Sequence, residues 1–91
     1  MDARAEESRQ GPASTSAGTS ALCQVLGARI RSLRVSARMT MAELGSLVGV
    51  THQQIHKYER GQNRISVSTL LALARALGVS PRDILEGIEH L

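Results

Sequence analysis

The stretch Thr40-Met41-Ala42-Glu43-Leu44-Gly45-Ser46-Leu47-Val48-Gly49-Val50-Thr51-His52-Gln53-Gln54-Ile55-His56-Lys57-Tyr58-Glu59-Arg60-Gly61 holds two helix starts and two helix stops in close succession. Thr40 and Glu43 have the spacing of a capping box, in which the threonine hydroxyl takes the Glu43 amide and the glutamate reaches back to the Thr40 amide. Gly49 then supplies the left-handed residue that ends a helix without a Cβ penalty. Thr51 and Gln54 repeat the capping spacing, and Gly61 repeats the stop. Two short helices joined through Gly49-Val50 cannot lie antiparallel. They cross steeply around small residues, the geometry of a helix-turn-helix over about 40–60. Ala42 and Gly45 supply the smallness. A mid-helix glycine costs about 1 kcal/mol against alanine, so Gly45 implies a close backbone approach.

The same punctuation continues on both sides. Upstream, Leu22, Val25/Leu26, Ile30, Leu33 and Ala37 step by three and four and form the apolar stripe of a first helix. Downstream, residues 62–65 read as a loop. Ser66 caps a fourth helix striped by Leu70, Leu73/Ala74 and Leu77, and Gly78 stops it. Ser80-Pro81-Arg82-Asp83 opens a fifth helix with proline at the first helical position, and Ile84, Leu85 and Ile88 form its apolar side. The expected fold class is all-α, a five-helix domain over 22–91. Residues 1–21 read as a disordered tail, because Gly, Pro, Ser, Thr and Ala dominate from Ser8 to Ala21. Such a segment buries too little apolar surface to offset its ordering entropy.

Composition narrows the function classes. The 91 residues are 42% hydrophobic, yet Tyr58 is the sole aromatic. A core of Leu, Ile, Val, Met and Ala suits closely packed small helices better than a β-sandwich. The lone Cys23 excludes a disulfide framework and a Cys-rich zinc site, and reads as a small apolar residue near the start of the first helix. The longest apolar run, Leu70 to Ala74, is far short of the roughly 20 residues of a membrane span. Acids at Asp2, Glu6 and Glu7 precede no apolar signal segment, so a cytoplasmic chain is expected. His52 and His56 make up at most half a metal site, with no carboxylate or cysteine placed to complete it. No metal or cofactor is expected. Paired carboxylates, a Ser-His-Asp set and a Cys-His set are all lacking, so the chain does not read as an enzyme.

The formal charge of +3 is unevenly distributed. Residues 25–64 carry seven basic and two acidic side chains, a net +5, while 1–24 and 65–91 are each −1. A basic middle points to a polyanionic partner, with a solvated basic face as the simpler alternative. At about 100° per residue, Thr51, Ile55 and Tyr58 share one side of the third helix, and Gln53, Lys57 and Arg60 share the other. Amide and cationic donors are the groups that read base edges. Gln54 has two readings, the capping partner of Thr51 or a further base reader.

From Val25 to about Glu86 the chain resembles the lambda-repressor-like (Cro/XRE-type) helix-turn-helix family. The resemblance rests on Thr40-x-Ala42-Glu43-Leu44, Val48-Gly49-Val50-Thr51, Ile55 and Tyr58-Glu59-Arg60-Gly61, then Leu70, Leu73-Ala74, Ala76-Leu77-Gly78-Val79 and Pro81. It covers about two-thirds of the chain. It implies a sequence-specific double-stranded DNA-binding transcriptional regulator, a repressor, acting as a homodimer in the cytoplasm at a bacterial or phage nucleoid. It implies base reading by His52, Gln53 and Lys57 with Gln54 beside them. It further implies phosphate contacts by Thr51, Arg60, Gln62, Asn63 and Arg64, and a structural ion pair between Arg34 and Glu59. Three positions depart from the family pattern. Met41 stands where glutamine is common, which removes a backbone contact. Arg38 stands where glycine is frequent, which implies a strained turn. Leu47 stands on a part of the second helix that is often polar. Ile84, Leu85, Ile88 and Leu91 are more apolar than a terminal helix needs, so a weak homodimer built on them is expected, with inward packing of some of them as the competing reading. The competing reading is an antitoxin or co-regulator module acting through a protein partner, since fold alone does not settle function.

Overall fold

A computed structural model describes residues 20–88. These form α1 (20–36), α2 (Met41–Val48), α3 (His52–Glu59), α4 (Val67–Leu77) and α5 (Pro81–Leu85), with no strand among the described residues. Residues 20 and 21 are already helical, ahead of the expected start at Leu22. An exposed first turn needs no apolar side chain, and Ala21 is the strongest helix former. The rest of the expected tail lies outside the described residues.

The caps follow from the side chains. Thr40 Oγ1 accepts from the Glu43 amide at 2.9 Å, and Glu43 Oε1 accepts from the Thr40 amide at 2.7 Å. Ser80 and Asp83 build the same box at 3.3 and 3.0 Å. The Thr51 box is only half built, which corrects the sequence expectation. Thr51 Oγ1 accepts from the Gln54 amide at 3.1 Å, but the Gln54 side chain does not return the bond. Glu43 and Asp83 are carboxylates drawn to the positive end of a helix; a neutral amide gains far less there.

Ile30, Leu44, Ile55, Leu73 and Ile84, one from each helix, are wholly buried. Leu26, Tyr58, Ala74, Leu77 and Ile88 complete the core. Burial of each large aliphatic is worth about 1.5–3 kcal/mol, so all five helices are held by one cluster.

Two glycines set the helix spacings. A Cβ on Gly45 would stand 2.6 Å from the Val50 carbonyl oxygen, which is the close approach that its mid-helix position implied. A Cβ on Gly27 of α1 would overlap the carbonyl oxygen of Tyr58 and stand 2.8 Å from that of Glu59. Gly27 therefore lets α1 lie directly against the end of α3.

The fifth helix is shorter than its apolar spacing suggests. Glu86 leaves the helix at φ −59°, ψ 129°, and Gly87 turns the chain at φ +81°. Ile84 and Ile88 then both point into the core, at 0% and 8% exposure. This narrows the expected dimer face: a core this small takes both isoleucines to close it, the inward packing that competed with that expectation. Leu85 remains 38% exposed, and Leu91 lies outside the described residues.

Candidate nucleic-acid interface

The inner side of α3 is locked. Ile55 and Tyr58 are buried, and so is the charged Glu59. Arg34 Nε donates to Glu59 Oε2 at 2.6 Å and Arg34 Nη2 to Glu59 Oε1 at 3.0 Å, a two-pronged guanidinium–carboxylate pair. Arg34 Nη1 also donates to the Met39 carbonyl at 2.8 Å. One guanidinium thus ties α1, the approach to α2 and the end of α3. The hydrogen bond with Glu59 raises the Arg34 pKa, burial works against it, and the Glu59 charge adds to the rise. The partner carboxylate thus holds the Arg34 guanidinium in its charged form against the cost of burial. Among the described residues, no buried side-chain polar atom lacks a partner.

The outer side of α3 is open. His52, Gln53, His56, Lys57 and Arg60 are exposed and Gln54 is half-buried. None of their side chains forms an ion pair among the described residues. Gln53, Lys57 and Arg60 share one face, as the helical period requires. Thr51 is exposed with its hydroxyl engaged by Gln54. On the following loop Gln62 and Arg64 are exposed and Asn63 is half-buried. His52 also faces the α1–α2 elbow, where it lines a groove of about 570 Å³ with Arg34, Arg38, Thr40 and Met41. Leu47 is 64% exposed on α2. Among the described residues no three His, Cys, Asp or Glu side chains gather as a metal site, and no helix is long and apolar enough to cross a membrane.

Not all of the basic middle faces outward. Arg29 Nη1 donates to the carbonyls of Asp83 at 2.9 Å and Ile84 at 3.3 Å, and Nη2 to that of Glu86 at 3.0 Å. It caps the free carbonyls at the end of α5, groups that a helix of five residues cannot satisfy internally. Sequence reading missed this role, because nothing local in α5 says which distant cation reaches it. Arg29 and Arg34 are committed to the fold. Arg31, Arg38, Lys57, Arg60 and Arg64 are exposed.

A helix-turn-helix family profile matches residues 30–84. An uncharacterised HTH-type transcriptional regulator of Rickettsia conorii is 41% identical over 65 residues, covering 71% of this chain and 52% of that protein. The clp gene regulator ClgR of Corynebacterium glutamicum superposes with a TM-score of 0.69 at 34% identity, over 70% of this chain and 68% of its own. The P22 c2 repressor, solved in complex with a synthetic operator, superposes with a TM-score of 0.63 at 39% identity, over 68% of this chain and 94% of its own. The chain spans about half the length of the curated relatives it matches. The profile match over more than half of the sequence, on an all-α scaffold shared with these regulators, shows that the chain belongs to the lambda-repressor-like, Cro/C1-type helix-turn-helix family.

Proposed function

We propose that this chain is a sequence-specific double-stranded DNA-binding transcriptional regulator of the repressor type, reading the major groove with α3. The observation that carries this reading is the contrast within one helix. Its inner side is fixed by the Arg34–Glu59 pair, while its outer side offers exposed amide and cationic donors. The likeness to the P22 c2 repressor, solved on operator DNA, supports it. Gln53 is suited to adenine and Lys57 to guanine, with His52 and Gln54 flanking them. Thr51, Arg60, Gln62, Asn63 and Arg64 are suited to the phosphates, which set register without carrying sequence information. At 1.5 Å per residue, the eight residues of α3 span about 12 Å. That covers only three to four base pairs, at roughly 3.4 Å each. Two copies on half-sites about one turn, or 34 Å, apart supply the missing sequence information.

Selection of bound sites from a random duplex library tests this reading, followed by titration of variants at several salt concentrations. Gln53→Ala and Lys57→Ala should each cost about 1–3 kcal/mol on the selected site and much less on random duplex. Arg60→Ala and Arg64→Ala should weaken both duplexes alike and lower the salt slope by about one. An unchanged specific-to-random ratio for Gln53→Ala and Lys57→Ala removes α3 as the reading element. Sedimentation of the complex on a paired-site duplex counts the copies bound.

A further inference from the structure

Four of the helices end on a residue with a left-handed backbone, and three of those residues are glycines: Gly49, Gly61 and Gly78. The fourth is Arg38, at φ +58°. Its amide bonds to the Val35 carbonyl at 3.0 Å and the Met39 amide bonds to the Arg34 carbonyl at 3.1 Å, closing the turn in the way a glycine normally does. A side chain in this conformation carries a steric penalty that glycine escapes. Arg38 is exposed, and among the described residues its guanidinium forms no hydrogen bond or ion pair, although it also lines a shallow groove beside Glu43 and Leu47. Strain retained at a residue without a structural use is a pointer to function. The groove that Arg38 lines also contains His52, the first residue of α3, and Met41, at the first turn of α2. That groove therefore opens beside the face assigned to DNA, and its other cation, Arg34, is committed to Glu59.

We infer that Arg38 is a phosphate-binding residue, holding the DNA backbone that flanks the groove read by α3. The inference rests on the proposed DNA binding. A guanidinium presents a rigid fork of donors matched to phosphate oxygens. Placed here, it offers on the elbow side a charged donor that the neighbouring apolar Met41 side chain cannot supply. Contact with phosphate carries no base information, so its contribution is the same on every duplex.

The opposing effects of one substitution make the inference testable. Arg38→Gly relieves the backbone strain and removes the charge. The expected result is a melting temperature raised by a few degrees, with affinity lowered equally for selected and random duplexes. Loss of one phosphate contact reduces the salt slope by about 0.9, so the gap from wild type narrows about 3.5-fold between 50 and 200 mM salt. Arg38→Asn, which tolerates the left-handed conformation, should lose the same salt slope without the flexibility of glycine. Arg38→Lys should retain it. If wild type binds duplex and both neutral variants keep its affinity and slope, Arg38 is not a phosphate contact. If wild type itself binds no duplex under any of these conditions, the DNA-binding reading fails instead.

Discussion

The two faces of α3 show opposite uses of polar chemistry on eight consecutive residues. On the inner face Glu59 is charged and nearly inaccessible, and every oxygen of its carboxylate is met by Arg34. On the outer face Gln53 and Lys57 are equally polar and form no ion pair within the described residues. A satisfied buried pair fixes the helix in place, while the exposed donors of the outer face stay open to solvent and, under the proposed function, to DNA. Mutations should therefore divide by face, with inner changes read in stability and outer changes in binding.

The largest effect is expected at the ion pair. Arg34→Ala or Glu59→Ala strands a buried charge and should cost about 3–5 kcal/mol, a large part of the 5–15 kcal/mol typical of a whole domain. Chemical denaturation measures it. A double-mutant cycle should show strong coupling, and simple additivity would mean that the two side chains act separately. Gly27→Ala tests the same face from α1. The new methyl meets the Tyr58 and Glu59 carbonyls, and forcing α3 outward should cost about 1–3 kcal/mol, even though alanine favours the helix by about 1 kcal/mol. Next in size is Thr51→Ala, which leaves the Gln54 amide without its cap and should destabilise by about 1 kcal/mol in thermal melting. The smallest stability change belongs to the outer face. Gln53→Ala and Lys57→Ala should stay within about 0.5 kcal/mol of wild type in denaturation, whatever they do to DNA binding. A larger loss would show that these side chains hold the fold and would erase the division between faces.

Much of this architecture is written locally. Thr40, Ser66 and Ser80 mark helix starts, Gly49 and Gly78 mark stops, and each acts on backbone groups within a few residues of itself. The outer stripe of α3 is equally local, since helical period alone sets Gln53 and Lys57 opposite Ile55 and Tyr58. Gly27 carries the same mid-helix propensity cost as Gly45 and is likewise set by a close backbone approach.

Other features depend on elements far apart in the chain. Arg29 reaches carbonyls 54 to 57 residues away, and no spacing rule distinguishes it from Arg31, which remains exposed. The apolar spacing of Ile84, Leu85 and Ile88 suggested one helical face. The exit at Glu86 and Gly87 breaks that face and sends both isoleucines into the core. The sequence by itself determined that there are five helices, where α2 to α5 begin, and which donors line the outer face of α3, because each is set by short-range bonding and helical period. Tertiary structure alone decided that Arg29 joins Arg34 in holding the fold while Arg31 stays exposed, because a guanidinium's partner is chosen by the packing that brings distant carbonyls within its reach.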